Sequence, residues 1–404
     1  MPTPALPSKL PDVGTSIFSV MTQLAQEHGA INLAQGFPDY DPPRELLEAL
    51  ARHVLTPGHQ QYAPMPGLLR LREAISQKTA RLYGYAPNPD TEITVTSGAT
   101  EALYAVMAAV VRPGDEVLLL EPAYDLYAPA VRLQGGVPVY VPLMPPGFRP
   151  DWDRVAAALS PRTRLVLINS PHNPTGAVLS AADLDALAGL LRNTDTLLLS
   201  DEVYEHMVFD GATHASVSAH PELRERAFVL SSFGKTYHAT GWKVGYCLAP
   251  PALTAELRRV HQFITFSVST PTQHALADVL PDTALYDGLP AFYQQKRDLL
   301  RELLAPTGFE LLPSQGGYFQ VADFSALAPG LDDVAFARRL TEQAGVAVVP
   351  LSAFYHNGHD DQLVRFCFAK QPTTLQAAAE RLRQAEAGGG TAESGTTKGA
   401  QLLH

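Results

Sequence analysis

From Glu92 to Pro250 the chain keeps returning to one kind of short apolar run: "ITVTS", "EVLLLE", "VPVYVPL", "RLVLINS", "TLLLSD", "FVLSS" and "VGYCLA" follow one another, separated by amphipathic or polar stretches. The runs are apolar throughout rather than alternating, so neither face is left for water. Strands of that kind lie in a mostly parallel sheet covered by helices. The separating stretches have helical periodicity: in residues 98–111, Ala102, Leu103, Val106, Met107, Val110 and Val111 share one face, Gly98 stands at the entrance, and Arg112-Pro113-Gly114 closes the segment. The centre of the chain is therefore expected to be α/β.

After Thr270-Pro271 the pattern changes. A longer helical stretch includes "LPAFYQQKRDLLRELLAP"; "GGYFQVADF", a helix near 332–344, "VAVVP", "LVRFCFA" and the closing helix "TTLQAAAERLRQAEA" follow it. Fewer, shorter strands mixed with helices predict a smaller α+β domain. The expected division is a large domain over 41–285 and a small one over 286–387, with residues 1–40 belonging to the small domain. The Gly-rich polar stretch 388–404 is expected to be a disordered tail. There is no internal repeat.

The formal net charge is -11 and the sequence offers no basic stripe, which argues against nucleic acid as a partner. The two cysteines, Cys247 and Cys367, lie inside apolar runs without zinc-site spacing and are expected to be core thiols in a reducing compartment. The thirteen histidines show no ligand spacing either, and no metal is expected. The Pro-rich start "MPTPALPSKLPDVG" lacks the apolar region of a signal peptide, and no segment approaches the ~20 apolar residues that span a bilayer. A cytoplasmic protein is the expectation.

Three successive apolar runs end in a polar residue suited to catalysis: "LVLINSPHN" leads to Asn173, "TLLLSD" to Asp201 and "FVLSSFGK" to Lys235. In a doubly wound sheet, residues just past the carboxyl ends of strands converge on one crevice. An amide, a carboxylate and a lysine are not a metal-ligand set. They match pyridoxal phosphate, whose aldehyde forms a Schiff base with a lysine and whose ring nitrogen needs a carboxylate partner. Asp201 would keep that nitrogen protonated, while Asn173 and Tyr204 would donate to the phenolic oxygen. In "TSGATEAL" a strand, Gly98 and then a helix start at Ala99 and Thr100 offer free backbone N–H groups and a favourable dipole to a phosphate, with Ser232 and Lys243 adding a hydroxyl and a charge.

The stretches "NSPHNPTG", "SDEVYE", "SFGKTYHATGWKVGY" and "LVRFCFAK" resemble those of the class I aminotransferases, fold type I of the pyridoxal-phosphate enzymes, and more narrowly the methionine and kynurenine/glutamine aminotransferases. The resemblance runs from about Lys9 to the end of the last helix. It implies that Lys235 holds the cofactor and moves the proton, that Tyr124 stacks on the ring, that Arg365 binds the substrate α-carboxylate, and that Gly36 offers a backbone N–H to the same group. Tyr62 is implied to reach the phosphate of a neighbouring subunit, hence a homodimer. Many class I members have arginine where this chain has Lys243, a point charge in place of a planar fork; the methionine and kynurenine group shares the lysine. His172 and His238 lie inside the motifs and are expected to support the site from behind.

The expected reaction transfers an amino group from an amino acid to a 2-oxo acid in two halves. Phe18, Phe37, Tyr62, Tyr124 and Phe354 are the expected pocket wall, which favours large apolar or aromatic donors such as methionine, aromatic amino acids, glutamine or kynurenine. A carbon–sulfur β-lyase would use the same residues and is the nearest alternative. A cofactor-binding regulator would need an added DNA-binding domain and a basic face.

Overall fold

The computed structural model describes residues 6–389. The strands, in chain order, begin with β1 (Ile31–Asn32), β2 (Ile93–Thr96), β3 (Glu116–Glu121), β4 (Val137–Pro142), β5 (Thr163–Asn169), β6 (Leu197–Asp201), β7 (Ala227–Ser232) and β8 (Gly245–Leu248). β2 to β8 form one seven-stranded sheet in the order β2-β8-β7-β6-β5-β3-β4. Its pairs are parallel except those of β8, which runs antiparallel to both β2 and β7.

The apolar runs read from the sequence are these strands, and the packing explains their composition. Val117 and Leu119 of β3, Leu165 and Leu167 of β5 and Leu199 of β6 enter one apolar cluster, whereas Leu118, Val166, Ile168 and Leu198 enter another. Successive side chains point to opposite faces of a strand, so both faces of the sheet are covered. The "VPVYVPL" run differs from its neighbours: β4 is an edge strand, and Val137 is exposed there.

The helix Gly98–Val110 packs on β7, β8 and the helix Pro251–Ile264. It buries the expected stripe of Ala102, Leu103, Val106, Met107 and Val110. Full burial of a Val, Leu or Met side chain contributes about 1.5–3 kcal/mol, so this stripe alone fixes the helix against the sheet.

The chain continues with β9 (Glu310–Leu311), β10 (Phe319–Asp323), β11 (Val346–Ala347), β12 (Val349–Pro350) and β13 (Leu363–Cys367). β12-β13-β10-β9 form a four-stranded antiparallel sheet. β11 instead pairs in parallel with β1, which ties the N-terminal segment to the C-terminal part of the chain. The last helix, Pro372–Gly389, runs two residues past the end expected at 387, within the one or two residues by which helix ends fray. The expected tail beyond it lies outside the described residues. Among those residues no helix is long and apolar enough to cross a membrane.

Candidate active site

β5, β6 and β7 end side by side, with Asn169 opposite Asp201 and Asp201 opposite Leu230. The sheet reverses its direction of growth between β3 and β5, and a crevice opens beyond the strand ends at such a point. A cleft of about 520 Å³ lies there. Gly36, Phe18, Gly98, Ala99, Thr100, Tyr124, Asn173, Asp201, Tyr204, Ser232, Lys235, Lys243 and Arg365 all line it. Tyr62 does not; it is 83% exposed, set edge-on to Phe266 in a separate surface depression. Phe37 lines the cleft, and Phe354 stands behind Phe18 with ring centroids 5.8 Å apart.

Asp201 is buried at the end of β6. Its Oδ2 accepts from the Tyr127 hydroxyl at 2.7 Å, and its Oδ1 accepts from the Val203 N–H at 3.3 Å. Burial nevertheless pushes the carboxyl up to about 6, because the hydrogen bonds recover only part of the lost hydration. A cation placed against it would restore its charge.

Lys235 stands in the short helix Phe233–Thr236 after β7. Its Nζ donates to the Tyr318 hydroxyl at 2.6 Å and to the Gly36 carbonyl at 3.2 Å, and among the described residues it has no carboxylate contact. Burial draws its pKa down to about 8. The Gly36 carbonyl oxygen also accepts from the Tyr318 hydroxyl.

At the start of the helix Gly98–Val110, Gly98 takes φ +73°, a left-handed conformation that a side chain disfavours. Gly245 of β8 lies directly beneath; a Cβ there would stand 2.6 Å from the Ser231 carbonyl and 3.0 Å from the Ala99 nitrogen. The small residues thus let the helix start drop onto the strand ends, where its unpaired N–H groups face the cleft. Lys243, itself left-handed at φ 54°, reaches Thr100 Oγ1 at 3.4 Å. This end of the cleft has the donors and charge for a phosphate.

Arg365 comes from the other sheet, on β13, and is fully buried. One nitrogen donates to Asn173 Oδ1 at 2.6 Å and another to the Ala34 carbonyl at 2.8 Å, while Nε has no partner. Its guanidinium lies 3.9 Å from the Phe319 ring centroid and 5.2 Å from those of Phe18 and Phe354. Burial lowers its pKa to about 10. A buried guanidinium with an unsatisfied N–H and, among the described residues, no contacting carboxylate suits an incoming anion.

His172 and His238 are held neutral by burial, each drawn down to about 4. They bond Thr175 Oγ1 at 2.7 Å and the Tyr293 hydroxyl at 3.0 Å. Sequence reasoning missed Tyr127, Asn169, Tyr318, Phe319 and Asp125. Asn169 carried a signal: it ends an apolar strand, and its Oδ1 accepts from the Asn173 N–H at 2.8 Å. Tyr318 and Phe319 carried none, because only the packing of the second sheet brings them to the cleft. Asp125 accepts from Ser16 at 2.8 Å and pins the segment bearing Phe18.

The model of aminotransferase classes I and II matches residues 28–382. A methionine aminotransferase of Escherichia coli is 56% identical over 383 residues, which cover 94% of this chain and 99% of the relative. A kynurenine–oxoglutarate transaminase of Dictyostelium discoideum is 35% identical, over 91% and 94% of the two chains. Among solved structures, one from Escherichia coli described as having a methionine aminotransferase function superposes with a TM-score of 0.91 at 56% identity, covering 94% of this chain and 100% of that one.

Proposed function

This chain belongs to the class I and II aminotransferases, and on that premise we propose that its amino donors have large apolar or aromatic side chains, methionine foremost. The observation that carries this reading is the surrounding of Arg365: one buried guanidinium for one carboxylate, enclosed by Phe18, Phe319 and Phe354. Among the described residues no other arginine lines the cleft to pair with a side-chain carboxylate, so a dicarboxylic donor would bury an uncompensated charge. The name of the 56% identical relative supports methionine.

The cofactor of the family is pyridoxal 5′-phosphate, and the cleft fits it. The donors at the start of the helix Gly98–Val110, with Thr100, Ser232 and Lys243, suit the phosphate; buried Asp201 suits a protonated ring nitrogen; Asn173 and Tyr204 line the same cleft and suit the phenolic oxygen. When bound, the cofactor carries the amino group and withdraws electrons from the substrate Cα.

The protein's own work is positional and acid–base. Arg365 fixes the α-carboxylate, which orients the Cα–H bond. Lys235 Nζ, already unprotonated in part near neutral pH, takes the Cα proton and gives it back later as a general acid. Tyr318 and the Gly36 carbonyl hold that amine in place. Tyr127 holds Asp201 by accepting nothing from it and donating one short bond, which keeps the carboxylate's other oxygen directed by Val203.

Tyr62 is read as the contribution of a second copy: an exposed tyrosine beside Phe266, with Phe263 and Ile264 also exposed, is suited to a homodimer in which it reaches the neighbour's phosphate. A cytoplasmic setting accords with two buried, unpaired cysteines.

A donor panel tests the substrate reading. kcat/KM for methionine, phenylalanine, tyrosine, glutamine and kynurenine is expected to exceed that for aspartate; aspartate as the best donor would overturn it.

A further inference from the structure

We propose that His53, His59 and His274 form a binding site for a first-row transition-metal ion of the Zn2+, Co2+ or Ni2+ kind, outside the catalytic cleft. One imidazole nitrogen from each lies within 4.8 Å of the others, and none of the three lines the cleft. His53 is in the last turn of the helix Arg44–Leu55, His59 is in the loop that follows, and His274 is on the helix Thr270–Val279, which packs against the first helix. With separations of six residues and of more than two hundred, the set has no sequence signature; the packing of two helices creates it.

The chemistry is specific at His53. Its Nε2 lies 2.8 Å from Asp278 Oδ2. The carboxylate accepts a hydrogen bond from the Nε2–H, so in the neutral ring Nδ1 carries the lone pair. That Nδ1 faces His59 Nδ1 at 3.1 Å. A carboxylate that orients the far nitrogen of a histidine is the usual support of a metal-bound imidazole. Asp278 is also shared by Arg52 at 3.2 Å and Arg70 at 2.6 Å, so its charge is already neutralised and it orients His53 rather than binding the ion itself.

Three imidazoles without an oxygen cage suit zinc, cobalt, nickel or copper and not calcium or magnesium. They leave a position open for water or a fourth group. The rings of His59 and His274 are stacked, 3.8 Å apart and 5° from parallel. Coordination by both requires them to open from the stack by rotation about χ2, which is a broad, soft torsion in histidine.

An ion there joins the loop after Leu55 to two helices, and that loop leads to Tyr62. Any effect on the proposed reach of Tyr62 into a second subunit rests on that earlier reading; metal binding itself does not. The test uses untagged holoenzyme stripped with a chelator, titrated with Co2+ by visible absorption and with Zn2+ by calorimetry. The expected result is one ion per chain, with cobalt ligand-field bands. Affinity should fall by roughly 10–100-fold in Asp278→Asn and further in His59→Gln and in His274→Gln. His59 lies in a loop, so its replacement is not expected to disturb folding, and His274→Gln repeats the test on a different element. Absence of saturable binding at micromolar metal, or unchanged affinity in both histidine variants, would overturn the site.

Discussion

Two lysine amines of this protein, one buried and one partly buried, titrate in opposite directions. Lys78, on the helix Leu69–Tyr83, donates to Glu205 Oε1 at 2.7 Å and to the Tyr246 hydroxyl at 2.9 Å. Burial pulls its pKa down, but Glu205 and Tyr246 together more than reverse the effect and the net shift is upward. Among the described residues Lys235 hydrogen-bonds a hydroxyl and a carbonyl and no carboxylate, and burial prevails, to about 8. Removal from water alone does not decide the state of an amine; the partner left beside it does. A lysine held by a carboxylate and a tyrosine is a strut, and one without a carboxylate contact is available for chemistry.

The contrast breaks if either lysine can do the other's task. Lys235→Ala should lower transamination by roughly 10⁴-fold or more, since acid–base and covalent roles vanish together; steady-state assay with methionine and a 2-oxo acid reads this. Lys78→Met should act on stability instead, costing about 3–5 kcal/mol in chemical denaturation because Glu205 is left charged and unpaired. Adding Glu205→Gln should recover part of that loss. Next in size is Arg365→Lys, which keeps the charge but not the fork; kcat/KM should fall about 10–100-fold, with little change in fold by circular dichroism.

The smallest expected effect is a pH dependence in the apoprotein. Lys235 has a folded pKa below its unfolded value, so between about 8 and 10.5 the unfolded chain binds the extra proton and stability rises with pH. Lys235→Met should therefore be more stable than wild type at neutral pH, and the gap should close as pH rises through that window. Solvent at the open cleft reduces its size. A gap that widened with pH would mean that Lys235 is paired after all.

The same division marks what could be read from the chain. Lys235, Asp201 and Asn173 were legible because each directly follows an apolar strand, and the parallel arrangement of those strands forces their ends together. Gly98 was legible as the start of a helix after a strand. Tyr318 and Phe319 were not, because their place depends on how the four-stranded sheet packs against the larger one, and local pattern holds no record of that. Tyr127 was hidden for a simpler reason: it lies three residues from Tyr124 in one short stretch, and either ring could have faced the cleft. The imidazole cluster was invisible to spacing because His274 joins it across two packed helices. Lys78 likewise shows no sequence sign of its partner, since Glu205 is brought to it by the sheet.

The claim that the unpaired lysine is the reactive one is tested most directly by loading the protein with pyridoxal phosphate, reducing it with borohydride and mapping the attached pyridoxyl group by peptide mass spectrometry. The account predicts the label on Lys235 alone. A label on Lys78, or on any lysine other than Lys235, would contradict it.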